Sequence, residues 1–398
     1  MAFVERACDI VANNWEADNN HDMQLRGVAA LLLFGAVAHG AEIRLGAEMP
    51  LSSERPGESQ LAPVVTTSGN HVVALWRDEA GLEMRGVADG VSFTIGVTMK
   101  AIDPRTAIAI AAGNRNALIV WTEGTESNRP LFARRIEFNG MTDAVPISLG
   151  STNSIGIGSL QPFGAVDDGD AFVVVWPSAS QQLGNSEQGH RARVSPDGFV
   201  VRDDTFQVSA AGLRPVRTRS GIAIVGSKVY ITCIPYCHWV TGYFVFPNNS
   251  GVWGGNGLWS VAANDDHLTI ASASDGNPEL WIAQSALDGV RIGFVKIATE
   301  HFYGIALVWS GTEYVLAWND GERVRAIRLD GNGKAIDSAP FDVSSPFTNH
   351  GLEAPSLAVV PSGVLIVYSR RDSASGVARA YGRVLERLGG PRRRVVRH

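Results

Sequence analysis

The sequence predicts an all-β fold: a seven-bladed β-propeller of four-stranded antiparallel blades, with the ring closed by the N-terminal strand. Three observations predict it. A phrase made of a turn, a run of β-formers and, in most copies, a terminal aromatic recurs seven times. Asn-Gly or Asp-Gly pairs, the strongest short hairpin signals, close the next phrase in several repeats. The last repeat lacks its fourth strand, and a match to that strand stands near the other end of the chain.

In order, the first phrase is GNHVVALW ending at Trp76, GNRNALIVW at Trp121, GDAFVVVW at Trp176, GSKVYITC at Cys233, GNPELWIA at Ala283, GTEYVLAW at Trp318 and PSGVLIVY at Tyr368. The intervals are 45, 55, 57, 50, 35 and 50 residues, so the fifth repeat reads as trimmed. A period of about 50 residues with four short strands is that of a propeller blade. The run Val72 to Trp76 is continuously apolar rather than alternating, as a strand sandwiched between neighbouring blades requires. Its terminal Trp would fill the gap between two blades. The following phrase, FARRIEFNG from Phe132 or RAIRLDGNG from Arg325, is the third strand. AVPISLG from Ala144 and APFDVSSP from Ala339 are the fourth. The missing fourth strand of the last repeat is matched by AEMPLSS, Ala47 to Ser53, which is expected to complete the seventh blade.

At 45% apolar and 19% charged residues, the chain can build a large core, and a net charge of −6 with no basic block in the body excludes nucleic acid as the main partner. From Met23, MQLRGVAALLLFGAVAHGA has a basic start, an apolar run of about 11 residues and small residues after it, which is the layout of a secretory signal peptide. The expected organisation is a non-native or disordered extension over 1–22, a signal peptide over 23–41, one propeller over 42–390 and a basic tail over 391–398. The expected setting is secreted or periplasmic, with no transmembrane segment after cleavage, and the protein is expected to be a monomer.

WD40, kelch and sialidase-box signatures are absent. The copy GTEYVLAWND, with RAIRLDGNGKAI and APFDVSS behind it, resembles a repeat common in exported bacterial β-propeller proteins of unassigned role. The resemblance covers about Ala62 to Arg387. It implies architecture and an extracytoplasmic location, and it brings no catalytic residues with it.

Candidate site residues follow from the fold. The loops after the repeated large residue converge on one end of the central channel. They carry Arg77, Asp78, Glu123, Asp320, Arg370 and Asp372. A ring of carboxylates there could serve hydrolysis, which needs two of them facing one bond; as an alternative, Asp and Glu cap turns. The fourth repeat inserts an aromatic-rich segment in which Trp239 and Trp253 suit stacking on a sugar or, equally, core packing. In CIPYCH, Cys233 and Cys237 could form a disulfide, remain free thiols or, with His238, approximate a haem-attachment site. LDGNGK has Lys334 where a calcium ligand would be needed, and the histidines are scattered, so no metal or other cofactor is expected. The sequence therefore points to a non-catalytic binding or scaffold protein for a glycan or protein ligand. A glycan-active hydrolase or lyase using Asp78, Glu123, Asp320 and Asp372 is the alternative.

Overall fold

The computed structural model describes residues 43–51, 58–96, 108–124, 128–153, 162–178, 186–233, 237–246, 250–253, 257–274, 277–287, 290–298, 301–346, 353–371 and 375–386. Their strands form seven four-stranded antiparallel sheets, so the predicted propeller is the fold. The inner strands of blades 1 to 7 are Leu61–Ser68, Ala109–Ala112, Gly164–Asp167, Gly212–Thr218, Gly257–Ala263, Gly304–Trp309 and Ser356–Val360. Each touches the next around the ring, and the seventh returns to the first. The second strands are His71–Arg77, Asn116–Thr122, Phe172–Pro177, Gly221–Cys233, His267–Ser274, Tyr314–Asn319 and Gly363–Arg371.

Closure is as predicted. Met49–Pro50 is the outermost strand of the seventh sheet, with Met49 opposite Gly382 and Pro50 opposite Tyr381. A further bridge joins Leu45 to Leu385. Glu48 accepts hydrogen bonds from the Tyr368 hydroxyl and the Arg370 guanidinium, which ties the closing segment to the second strand of the same blade. Closing the ring leaves no blade with an uncovered face.

The core lies between blades. Seven apolar clusters occur among the described residues, one per junction. Trp121 packs with Leu75 and Met84 of blade 1, and Trp318 packs with Leu280 and Ile282 of blade 5. Trp121, Trp176 and Trp318 are at most 1% exposed, as the gap-filling expectation required. The second strand Asn116–Thr122 is buried along its whole length, which explains its unbroken apolar sequence.

Two repeats are phased differently from the sequence expectation. Pairing with the inner strand defines the equivalent position in each blade. Val175, Val225, Ala271, Ala317 and Val367 face Gly164, Arg214, Ser260, Ala306 and Ser356, so the next residues are equivalent: Trp176, Gly226, Ser272, Trp318 and Tyr368. The fourth and fifth anchors are therefore Gly226 and Ser272, not Cys233 and Ala283. GNPELWIA belongs to a third strand, Asn277–Ala286. With this phasing the intervals become 45, 55, 50, 46, 46 and 50 residues, and no repeat is trimmed.

The physical reason is that the aromatic has moved across the ladder. Gly226 faces Phe244 on the third strand, and a Cβ at Gly226 would lie 2.1 Å from Phe244 Cζ. The ring lies over the glycine and fills the space a Trp would fill. In blade 5, Ser272 is flanked on its two sides by Trp259 and Trp281. The same glycine–aromatic device recurs as Gly86 opposite Phe93 and Gly189 opposite Phe206, each with a virtual Cβ contact of 2.5 Å.

Candidate functional site

Inner strands begin, and second strands end, at one face of the disc, here called the upper face. In blades 1, 2, 3 and 6 the second strand stops one residue past the anchor position, at Arg77, Thr122, Pro177 and Asn319. In blade 4 it runs on to Cys233. Past Ser227 it has lost its inner-strand partner, but it stays paired with the third strand, from Lys228 opposite Gly242 to Cys233 opposite Cys237. From Val229 opposite Thr241 onward only these two strands remain, a ribbon of five residues, about 17 Å at the usual strand rise.

Cys233 and Cys237 thus stand opposite each other at the tip of a ribbon, rather than at an inter-blade anchor. Opposed Cα atoms in an antiparallel pair are about 4.5 to 5.5 Å apart, within the range a disulfide spans. The side chains of Cys233, Cys237, Trp239 and Trp253 lie outside the described residues, as do Asp372, residues 1–42 and the basic tail.

The described acidic candidates are held by their own loops. Asp78 Oδ1 accepts from the Glu83 N–H at 2.9 Å. Asp320 Oδ1 accepts from the N–H groups of Glu322 and Arg323 at 2.8 and 2.7 Å. Glu123 is fully buried and accepts from the Trp121 indole N–H at 3.0 Å. Arg77 is 3% exposed, donates to the Asp78 carbonyl, and lies 4.0 Å from Glu353. Arg370 pairs with Glu48 and lies 4.4 Å over the Tyr381 ring. Both arginines therefore already have protein partners.

Two features were not anticipated from the sequence. Ser178 Oγ lies 2.6 Å from His190 Nε2 at the start of the blade 3 loop, with His190 stacked on Trp176 at 5.0 Å. Burial lowers the His190 pKa, opposed by the field of Asp203. The imidazole is therefore neutral at pH 7 and can accept the hydroxyl proton. The Ser178 N–H is already donated to the Gln188 carbonyl, so it is not available as an oxyanion donor.

The second feature is Arg214, on the inner strand of blade 4. Its guanidinium sits 5.4 Å over the Trp259 ring of blade 5, and Nη1 reaches 3.4 Å toward the Phe163 carbonyl of blade 3. Its side chain thus bridges the inner strands of both flanking blades. Burial lowers its pKa to about 9, which leaves it a cation at neutral pH. The buried Trp259 indole N–H beneath it has no acceptor among the described residues.

No family model matches the chain, and no curated protein matches it. Solved structures with similar folds do exist. An uncharacterized protein from Listeria monocytogenes EGD-e is 10% identical, with 84% of this chain and 97% of that one covered and a TM-score of 0.44. The Aleuria aurantia lectin, solved with α-methyl-L-fucoside, is 12% identical, with 84% and 93% covered and a TM-score of 0.41. A Trypanosoma rangeli sialidase is 10% identical with a TM-score of 0.40; 85% of this chain is covered, and the chain spans 56% of the sialidase. At these identities the likeness concerns the fold. Among the described residues no helix is long and apolar enough to cross a membrane, and no group of His, Cys, Asp and Glu could hold a metal ion.

Proposed function

We propose that this is a non-catalytic, extracytoplasmic binding protein that takes a glycan at the upper face of the propeller. The observation that carries the reading is the blade 4 ribbon, which rises on the face where inner strands begin. Its sequence from Tyr230 to Tyr243 is rich in aromatic and hydroxyl residues, which suit the apolar faces and hydroxyl edges of a pyranose. A disulfide between Cys233 and Cys237 would pin the tip of a ribbon that two strands alone hold only marginally. The described carboxylates after the second strands support binding over catalysis, because Asp78 and Asp320 use an oxygen to cap their own turns. The apolar run from Val28 supports export.

A hydrolase using Asp78, Glu123, Asp320 and Asp372 is the second reading, favoured because Asp78, Glu123 and Asp320 each directly follow a second strand that ends at the upper face. One experiment separates the two. The exported protein is incubated with an array of envelope and plant polysaccharides, and every bound glycan is checked for new reducing ends. Binding without cleavage is the expected result. Cleavage that is lost in Asp78→Asn or Asp320→Asn would install the hydrolase, and an array with no bound glycan would overturn the glycan reading in favour of a protein ligand.

A further inference from the structure

The seven inner strands carry three charged residues among them: Asp167, Arg214 and Arg217. Asp167 and Arg217 are paired, Oδ2 to Nη1, at 3.2 Å. Arg214 has no carboxylate partner among the described residues. The residues equivalent to it around the ring, by pairing with the second strand, are Val64, Ala109, Gly164, Ser260, Ala306 and Ser356. All six are small or neutral. The hydroxyls of Ser260 and Ser356 are occupied, accepting from the N–H groups of Leu307 and Val65 in the next blades. One guanidinium is therefore the sole charge at its tier among the described inner-strand residues, the other two charges on these strands being paired with each other.

Such a placement is costly. A cation removed from water without a counter-charge is destabilising, and folds normally pair it or exclude it. Arg214 is neither paired nor fully sealed: it is half-buried, and its contacts are a ring face and one long hydrogen bond to a carbonyl. A guanidinium offers five N–H donors in a planar fork, and the Phe163 carbonyl takes only one of them. The remaining donors are what a planar oxyanion requires.

We infer that Arg214 is a carboxylate-binding residue, and that the ligand is an acidic saccharide whose carboxylate enters the channel from the upper face. The saccharide class rests on the glycan reading above; the carboxylate does not. Charge chooses carboxylate over phosphate, since a single guanidinium neutralises a monoanion and would leave a dianion partly uncompensated, the other described inner-strand cation, Arg217, being paired with Asp167. Position chooses the upper face. Arg214 is the third residue of a strand that begins there, and its neighbour Val225 lies two residues before the end of the paired blade, where the ribbon begins.

The test is calorimetry on the full chain with trigalacturonate, a neutral trisaccharide, inorganic phosphate and acetate, repeated with Arg214→Gln and Arg214→Lys. Trigalacturonate is expected to bind, with the neutral sugar weaker. Arg214→Gln should lose about 10- to 100-fold in affinity, as expected for a charge-assisted contact. Arg214→Gln should also melt no lower than the native protein, because a half-buried cation without a carboxylate partner among the described residues has been removed; a purely structural Arg214 would lower it. Equal binding of acidic and neutral sugar, unchanged by either variant, overturns the carboxylate inference and leaves the glycan reading standing. Arg214-dependent binding of acetate without any saccharide overturns the glycan reading and keeps the carboxylate. Phosphate in preference to every carboxylate overturns the choice of anion. Should Arg214→Gln fail to fold, the acidic-against-neutral comparison on the native chain still decides.

Discussion

Blade 6 and blade 4 solve one packing problem in two ways. In blade 6 the second strand carries Trp318 one residue before its end, fully buried and edge-on to Phe302. In blade 4 the same position is Gly226, and the aromatic is supplied from the third strand by Phe244. What is kept is aromatic volume at the junction between blades, not a residue at a position in the sequence. The freed second strand of blade 4 then runs on, unpaired on one side, as the ribbon. The variation that hides the repeat and the variation that builds the candidate site occur in the same blade.

The largest expected effect tests whether the two aromatics are equivalent. Trp318→Ala and Phe244→Ala should each cost about 3–5 kcal/mol in denaturant unfolding, as large core truncations do. A cost under about 1 kcal/mol for Phe244→Ala would break the comparison, since such a loss belongs to surface positions. Next comes the glycine. Gly226→Ala puts a Cβ into the Phe244 ring and should cost about 1–3 kcal/mol by overpacking. Gly226→Trp combined with Phe244→Gly should be more stable than Gly226→Trp alone, because the pair restores the arrangement of blade 6. A smaller effect is expected in blade 5, where the buried Ser272 Oγ has no hydrogen-bond partner among the described residues. Ser272→Ala should leave the melting temperature unchanged or slightly raised, since an unsatisfied hydroxyl is removed.

The smallest effect concerns blade 3, where a Trp anchor and a cross-strand ring coexist as Trp176 and His190. Burial depresses the His190 pKa below its ordinary value of 6.5. Its contribution to stability is complete above that value and is lost as pH falls from there through the folded-state pKa. Thermal melts between pH 7.5 and 5 should show this component in the native protein and lack it in His190→Phe.

Much of the fold was legible in the sequence because five of the seven anchors are aromatic and each follows a turn glycine by five to eight residues. Trp76, Trp121, Trp176, Trp318 and Tyr368 set the period, and the N-terminal strand was recognisable from its likeness to the fourth-strand phrase. Blades 4 and 5 were misphased because Phe244, Trp259 and Trp281 are neighbours of the anchor across the ladder and not along the chain. A linear pattern finds an aromatic but not which strand it serves. CIPYCH was placed at an anchor for the same reason. The candidate site was less legible. Arg214 sits in GLRPVRT with nothing local to mark it. Its significance lies in what six other blades place at the same tier, and that alignment requires strand register. Once the blades are phased, a lone charge among inner-strand positions is a signal that a sequence could yield.

Ring closure also has a consequence for how the chain reaches its native state. The pairing of Met49 with Gly382 joins residues separated by nearly the whole chain. Contacts of such long separation slow folding, because the loop they close must be ordered before they contribute. Of the described strands, the closing strand emerges before all the others during synthesis, and its partner emerges after them. Until then the first blade lacks a neighbour on one side, with apolar residues such as Val65 and Ala74 still uncovered. Completion of the ring is therefore a late, single event that depends on both ends at once, and a chain cut short in its final blade would lose the closure of the whole disc along with one sheet.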